Sequence, residues 1–261
     1  MGSNTQDINI PTGTSVLGWG TSGLVFLDSS SLTVIKSPLT NDYACINVEI
    51  ERKIYERFTQ QGGHEGLLQY FGPFQTGPFE TGIRLEYASN RSILQYFQEH
   101  ESNISVEQRL RWCKEISYTL KFIHLNKVIH GDFKCNNIFL DDTLRSKVAD
   151  FGGSSLDGSE LRVVVSASHR SPRVLDSVEG DIFALGSSMY EIMTGQAPYT
   201  EHDEYEIERL FSESKFPDTT SLGPIGDIIW DCWQGKYASA YEVWMSITGL
   251  TLSLFASLLQ Y

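Results

Sequence analysis

Val128-Ile129-His130-Gly131-Asp132-Phe133-Lys134-Cys135-Asn136-Asn137-Ile138-Phe139-Leu140 decides the reading of this 261-residue chain. Its polar centre is D-x-K-x-x-N, with β-branched residues on both sides. Asp132 could accept a proton from a hydroxyl nucleophile, or orient it. Lys134 could neutralise a transferring phosphoryl group, and Asn137 could ligate a divalent ion. Thirteen positions after Asn137 comes Asp150-Phe151-Gly152, behind the strand-like Lys147-Val148-Ala149. Asp150 would be a second oxygen ligand. Magnesium suits such a pair, because it takes few protein oxygens and completes its shell from the substrate.

Upstream lies Gly18-Trp19-Gly20-Thr21-Ser22-Gly23-Leu24-Val25, a G-x-G-x-x-G-x-V pattern. Without side chains, Gly18, Gly20 and Gly23 would let backbone N–H groups approach phosphates. The pattern alone also fits a plain glycine-rich hairpin turn. A dinucleotide-binding fold would place a helix next, but the strand-like Leu24-Val25-Phe26-Leu27 follows. Lys36 ends the run Thr33-Val34-Ile35, and Glu51 sits fifteen positions on, within a predicted helix. A Lys36–Glu51 pair could hold nucleotide phosphates, although a lysine at a strand end is also commonly just solvated.

The rest of the chain divides in two. To about residue 40 it is rich in Gly, Ser, Thr and Val, which predicts strands and tight turns. Asn41 or Asp42 could cap a helix to about Gln60, with Ile46, Ile50, Ile54 and Phe58 on one face. Leu67–Phe71 and Ile83–Tyr87 read as further strands. After Ala88 the pattern turns helical. Ser105-Val106-Glu107-Gln108 is a capping box, and Asp181 opens a nearly all-apolar, buried helix ended by Gly195. The expected layout is α+β and bilobal: a β-rich lobe with one helix at 12–87, a helical lobe at 88–242, and a tail or last helix at 243–261.

Composition narrows the partners. Hydrophobic residues make up 41% and charged residues 20%, which excludes a disordered chain. The net charge of −13 argues against nucleic acid and anionic lipid, which need basic surface. Residues 1–15 are polar and carry no signal-peptide pattern, so a cytoplasmic protein is expected, with a nuclear one as the alternative. Val243–Tyr261 holds no charge. At 19 residues it barely reaches across a bilayer, and it carries seven Ser, Thr, Gly or Gln residues. A final helix resting on the helical lobe is expected there rather than a membrane tail.

In order and spacing these motifs resemble the eukaryotic protein kinase family, over about residues 13–242. Leu85-Glu86-Tyr87-Ala88 resembles its hinge. Asp181-Ile182-Phe183-Ala184-Leu185-Gly186, Tyr190-Glu191-Ile192-Met193-Thr194-Gly195 and Cys232-Trp233 resemble its later markers. The phrasing of Glu51–Phe58 and Asp150–Ser155 is similar to that of small fungal kinase-like proteins. The resemblance implies ATP in the cleft between lobes, with Val25, Val34 and Phe139 around the adenine and Glu86 and Ala88 offering backbone to it. Lys36 paired with Glu51 would touch the α- and β-phosphates, and Asn137 and Asp150 would hold Mg2+. Asp132 and Lys134 would serve transfer to a hydroxyl of a protein substrate. The D-x-K form resembles serine/threonine kinases.

Several positions depart from that family. Gly131 stands where an arginine usually reads an activation-loop phosphate. Val34 replaces an alanine beside the adenine, at an expected cost of about 1 kcal/mol in ATP binding. Ser171-Pro172-Arg173 replaces Ala-Pro-Glu, and no arginine follows Arg209 to pair with a glutamate there. Arg173 should therefore point to solvent or pair elsewhere. Asn136 and Ser92 stand where arginine-directed kinases often carry acids. These departures leave a nucleotide-binding pseudokinase as the alternative. A small-molecule phosphotransferase is a third reading, since His130-Gly131-Asp132 with Asn137 resembles the loop of aminoglycoside and choline kinases. The intact glycine loop and Cys232-Trp233 argue against it.

Overall fold

The computed structural model describes residues 13–20, 23–39, 41–75, 81–100 and 103–258. Thr21 and Ser22 of the glycine stretch, the polar start and the last three residues lie outside them. Five strands form one antiparallel sheet in the order β1-β2-β3-β5-β4: β1 (Thr14–Gly20), β2 (Gly23–Asp28), β3 (Thr33–Ser37), β4 (Tyr70–Gln75) and β5 (Thr81–Glu86). Val25 pairs with Lys36, and Val34 with Leu85. Because side chains alternate along a strand, Val25, Val34 and Lys36 share one face. Phe26 and Ile35 pair on the other face, where both are buried. Leu67 belongs to no sheet strand, contrary to the sequence expectation. It bridges in parallel to Val148, joining the sheet-rich part to the helical part.

Helix α1 (Asp42–Gln60) starts at Asn41, whose side chain accepts from the Ala44 N–H at 2.8 Å. Its buried face is Ala44, Asn47, Val48, Glu51, Ile54, Tyr55 and Phe58, while Ile46 is 45% exposed. The expected isoleucine stripe fails at its N-terminal end for a geometric reason. A step of four residues overshoots a turn by about 40°, so three steps carry Ile46 about 120° away from Phe58.

The helical part contains α2 (Ile93–His100), α3 (Val106–Leu125), α4 (Val178–Thr194), α5 (Glu204–Ser212), α6 (Pro224–Trp233) and α7 (Ala240–Leu258). Two small antiparallel pairs, β6 (Val128–Ile129) with β9 (Ser155–Leu156) and β7 (Ile138–Leu140) with β8 (Ser146–Val148), frame the deciding loop. Ser105 caps α3 by accepting from the Gln108 N–H at 3.2 Å. The Gln108 side chain donates to the Leu144 carbonyl at 3.5 Å instead of returning to Ser105, so the expected box is half built. Helix α4 is buried nearly all round, and Gly195 ends it in the left-handed conformation at φ 84°. It begins earlier than expected, at a Ser177 cap, which frees Asp181 for another task. Helix α7 runs through the uncharged stretch as far as Leu258. Ala240, Val243 and Ile247 are buried, and Lys121 of α3 sits over the rings of Tyr118, Tyr241 and Trp244 at 4.9–5.3 Å. Among the described residues, no helix is long and apolar enough to cross a membrane.

Candidate active site

A cleft of about 750 Å³ opens between the sheet and the helices. It is lined by Gly18, Gly20, Gly23, Val25, Val34, Lys36, Glu51, Glu86, Ala88, Asp132, Lys134, Asn137, Phe139 and Asp150, so the residues expected to bind nucleotide, ion and phosphoryl group lie around one cleft. The three glycines are not equivalent. A Cβ on Gly18 or Gly20 would meet nothing within 4 Å, whereas one on Gly23 would fall 2.1 Å from the Ser37 carbonyl oxygen. Gly23, at the start of β2, is required by the close approach of the end of β3 at Ser37. Gly18 and Gly20 leave backbone open towards the cleft.

Three elements bring their charges to one point. Lys36 Nζ lies 2.6 Å from Glu51 Oε2 and 2.6 Å from Asp150 Oδ1. Glu51 Oε1 accepts from the Phe151 N–H at 3.3 Å. Burial works against the Lys36 charge, but Asp150 and Glu51 outweigh it and hold the ammonium above the ordinary lysine range. Lys36 in turn holds Asp150 below the usual carboxylate range. Burial pushes Glu51 up, against the pull of Lys36. Asp150 adopts φ 66°, a conformation disfavoured for a residue with a side chain, and the lysine contact helps offset that cost.

The second group comes from the deciding loop. Lys134 Nζ is 2.8 Å from Asp132 Oδ2, and Asn137 Nδ2 donates to that same oxygen at 2.9 Å and to the Asp132 carbonyl at 2.8 Å. Asp132 Oδ1 is buried with no hydrogen-bond partner among the described residues, an acceptor left unsatisfied in a side chain that lines the cleft. Asn137 spends its NH2 group on Asp132 and keeps its carbonyl oxygen for another partner. That oxygen and the second oxygen of Asp150 are hard donors of the kind magnesium prefers. No group of three or more His, Cys, Asp or Glu residues suited to a metal exists among the described residues. Two such oxygens would leave an ion most of its coordination to fill from substrate or water, as magnesium does.

Asp181 holds the loop from beneath. Its carboxylate accepts from the backbone N–H groups of His130 and Gly131, both at 2.8 Å, and lies 2.9 Å from His124 Nε2. A column of rings then ties the loop to the sheet. Tyr70 stacks on Tyr55, Tyr55 meets Phe151 edge-on at 5.4 Å, and Phe151 lies 5.0 Å from His130. Each such pair adds about 0.5–1.5 kcal/mol beyond the area it buries. Sequence reasoning missed the tasks of Tyr55, His130 and Asp181. The available signal was Tyr55 falling one helical turn after Glu51, on the same face.

The departures are also resolved. Arg173 pairs with Glu179 and donates to the Trp233 carbonyl at 3.1 Å, so it ties its segment to α4 and α6. Gly131 has φ 76°, and a Cβ there would stand 2.5 Å from Leu161 Cδ2. The space beside it is filled by Leu161 and Val163.

A glycine-edged sheet with a buried lysine, closed over a helical lobe that presents Asp132, Asn137 and Asp150, is the two-lobed kinase arrangement. The protein kinase domain family matches residues 13–259, and the chain belongs to that family. Serine/threonine-protein kinase PLK2 of Mus musculus is 29% identical over 167 residues, covering 61% of this chain and 24% of its own length. Calmodulin-binding receptor-like cytoplasmic kinase 1 of Arabidopsis thaliana is 28% identical, covering 70% of this chain and 42% of its own. RGS domain-containing serine/threonine-protein kinase A of Dictyostelium discoideum is 28% identical, over 58% and 14%. The chain thus spans less than half the length of these relatives.

Proposed function

We propose that this chain is a serine/threonine protein kinase that transfers the γ-phosphoryl group of ATP, with magnesium, to a protein hydroxyl. The observation carrying this reading is the Lys36–Glu51–Asp150 contact, formed opposite an Asp132 whose Oδ1 is unpartnered. Bound Mg-ATP supplies the phosphoryl group and much of the positive charge that stabilises its transfer. Val25, Val34 and Phe139 flank the adenine, and backbone groups of Glu86 and Ala88 meet its edge. Ala88 spends its carbonyl on the Arg91 N–H, so its own N–H is the group it can offer. Lys36 holds phosphate oxygens, while Asn137 and Asp150 hold the ion. Asp132 takes the hydroxyl proton at Oδ1, and Lys134 adds positive charge beside it. The D-x-K form and the serine/threonine kinases among the relatives support serine/threonine preference.

The test is transfer of labelled phosphate from ATP to a generic protein substrate in the presence of magnesium, followed by phosphoamino-acid analysis. Label on serine and threonine that disappears in Asp132→Asn supports the reading. Equal signal from the two proteins sinks the enzyme reading and favours a nucleotide-binding scaffold. Turnover with small hydroxylated compounds but no protein would favour a small-molecule phosphotransferase.

A further inference from the structure

Helix α1 carries a second series that the aliphatic pattern hides, Tyr43, Asn47, Glu51 and Tyr55 at steps of four, which winds about 120° round the helix from an exposed Tyr43 to a buried Tyr55. The last two reach Lys36 and Phe151, as described above. The first two hold the segment after the Asp150–Gly152 turn. Tyr43 Oη donates to the Arg162 carbonyl at 2.6 Å, and Arg162 Nε donates to Asn47 Oδ1 at 3.0 Å. The guanidinium lies 4.9 Å from the Tyr43 ring centre. Asn47 is buried, so its carbonyl oxygen has this partner in place of water. Arg162 is in turn fixed to the turn itself, its N–H donating to the Gly153 carbonyl at 2.8 Å. A Cβ on Gly153 would meet Val163 Cγ1 at 2.1 Å, so the two strands of chain touch. On the far side Leu161 and Val163 cover Gly131, which has no side chain to bind a phosphate.

We propose that Arg162 is a positioning residue that latches α1 to this segment, so that Glu51 reaches Lys36 without any phosphoryl group on the chain. The proposal rests on the kinase reading above. It joins α1, which carries Glu51, to the segment that follows Asp150, and Glu51 and Asp150 meet on the same Lys36. The planar guanidinium makes both contacts at once: an edge to Asn47 and a face to Tyr43.

The test compares the full chain with Arg162→Ala, Arg162→Lys, Asn47→Ala and the double alanine variant. Hydrogen exchange of the α1 amides and the steady-state constants for ATP are read in each. Arg162→Ala is expected to speed α1 exchange about tenfold and lower kcat about five- to twentyfold, with α3 exchange unchanged. Arg162→Lys should recover part of both, since it keeps a donor and loses the plane. The double variant should be no worse than the weaker single one. Treatment with a broad-specificity phosphatase should leave wild-type kcat unchanged. Unchanged α1 exchange in Arg162→Ala overturns the latch, and so does faster α1 exchange with wild-type kcat. Equal loosening of α3 or loss of activity after phosphatase treatment overturns it too. A wild type that transfers nothing breaks the kinase reading instead, and α1 exchange still decides whether the latch exists.

Discussion

Asp132, Lys134 and Asn137 come from one short loop, whereas Lys36, Glu51 and Asp150 come from three elements, with 114 positions between the lysine and the aspartate it meets. The two clusters face the same cleft but depend on different things. The loop cluster is set by local chain geometry and by Asp181 beneath it, within a lobe of close-packed helices. The distributed cluster exists only while α1, the sheet and the Asp150 turn hold their relative places. Its geometry is therefore the part of the site that a change elsewhere in the molecule can undo. On the proposed kinase reading, chemistry is concentrated in the first cluster and conditional on the second.

The sharpest separation is expected from Asp132→Asn. It keeps the shape of the side chain and removes the proton acceptor, so kcat should fall about 10²–10⁴-fold with thermal stability nearly unchanged. Transfer kinetics alongside a melting curve would show this, and a matching loss of stability would break the contrast. Lys36→Met should damage both properties. It leaves Glu51 buried without its partner, at a cost of about 3–5 kcal/mol, and the Lys36→Met/Glu51→Met protein should regain most of that stability but no activity. Denaturant titration of the three proteins checks it.

Asp181→Asn tests whether the loop cluster is as self-contained as its short span suggests. One oxygen that accepts a backbone N–H becomes a donor, and the loss should be about 2–3 kcal/mol with slower transfer. Unaltered transfer would show that the loop keeps its shape unaided. The smallest expected effect comes from His169, which is buried 3.7 Å from Glu191. Burial first, and then nearby Lys134, pushes this histidine down to about 3. Its folded value is depressed, so its contribution is complete above the unfolded value of about 6.5 and is lost as pH falls towards 3. By pH 5 that loss is about 2 kcal/mol relative to pH 7. Burial holds Glu191 above its ordinary value, which acts with the opposite sign. Comparison with His169→Gln isolates the histidine: the variant should lose less stability between pH 7 and pH 5, and an equal slope would refute the assignment.

The legibility of the site followed the same division. The loop cluster could be read because its spacing is short and each residue type has an obvious chemistry. The glycines, Lys36, Glu51 and Asp150 became legible only together, since each has a bland reading alone. The placement of α1 was the weak point. Aliphatic periodicity selected Ile46, which is exposed, and passed over Asn47 and Glu51, each 1% exposed. Polar residues buried by a distant partner carry no apolar signal, and Arg162 lies 115 positions from the asparagine it meets. Asp181 was read as a helix start because capping residues and buried acceptors are spelled alike. The position of β4 slipped for a related reason, since Leu67 and Leu68 are buried by the joining of the lobes rather than by sheet pairing.

Trp19, between two of the glycines, is 81% exposed and lines the cleft, while Trp112 and Trp233 are fully enclosed in the helical lobe. The Trp19 indole faces water, while those of Trp112 and Trp233 sit in the packed core with their N–H groups donating to the Leu144 carbonyl and Ser187 Oγ, so their emission differs in colour. The chain consequently carries a red optical channel, shared by Trp19 at the lip of the cleft and the 37%-exposed Trp230 of α6, and a blue one in the core. A ligand arriving over the glycine loop alters the red channel, and unfolding of the helical lobe alters the blue.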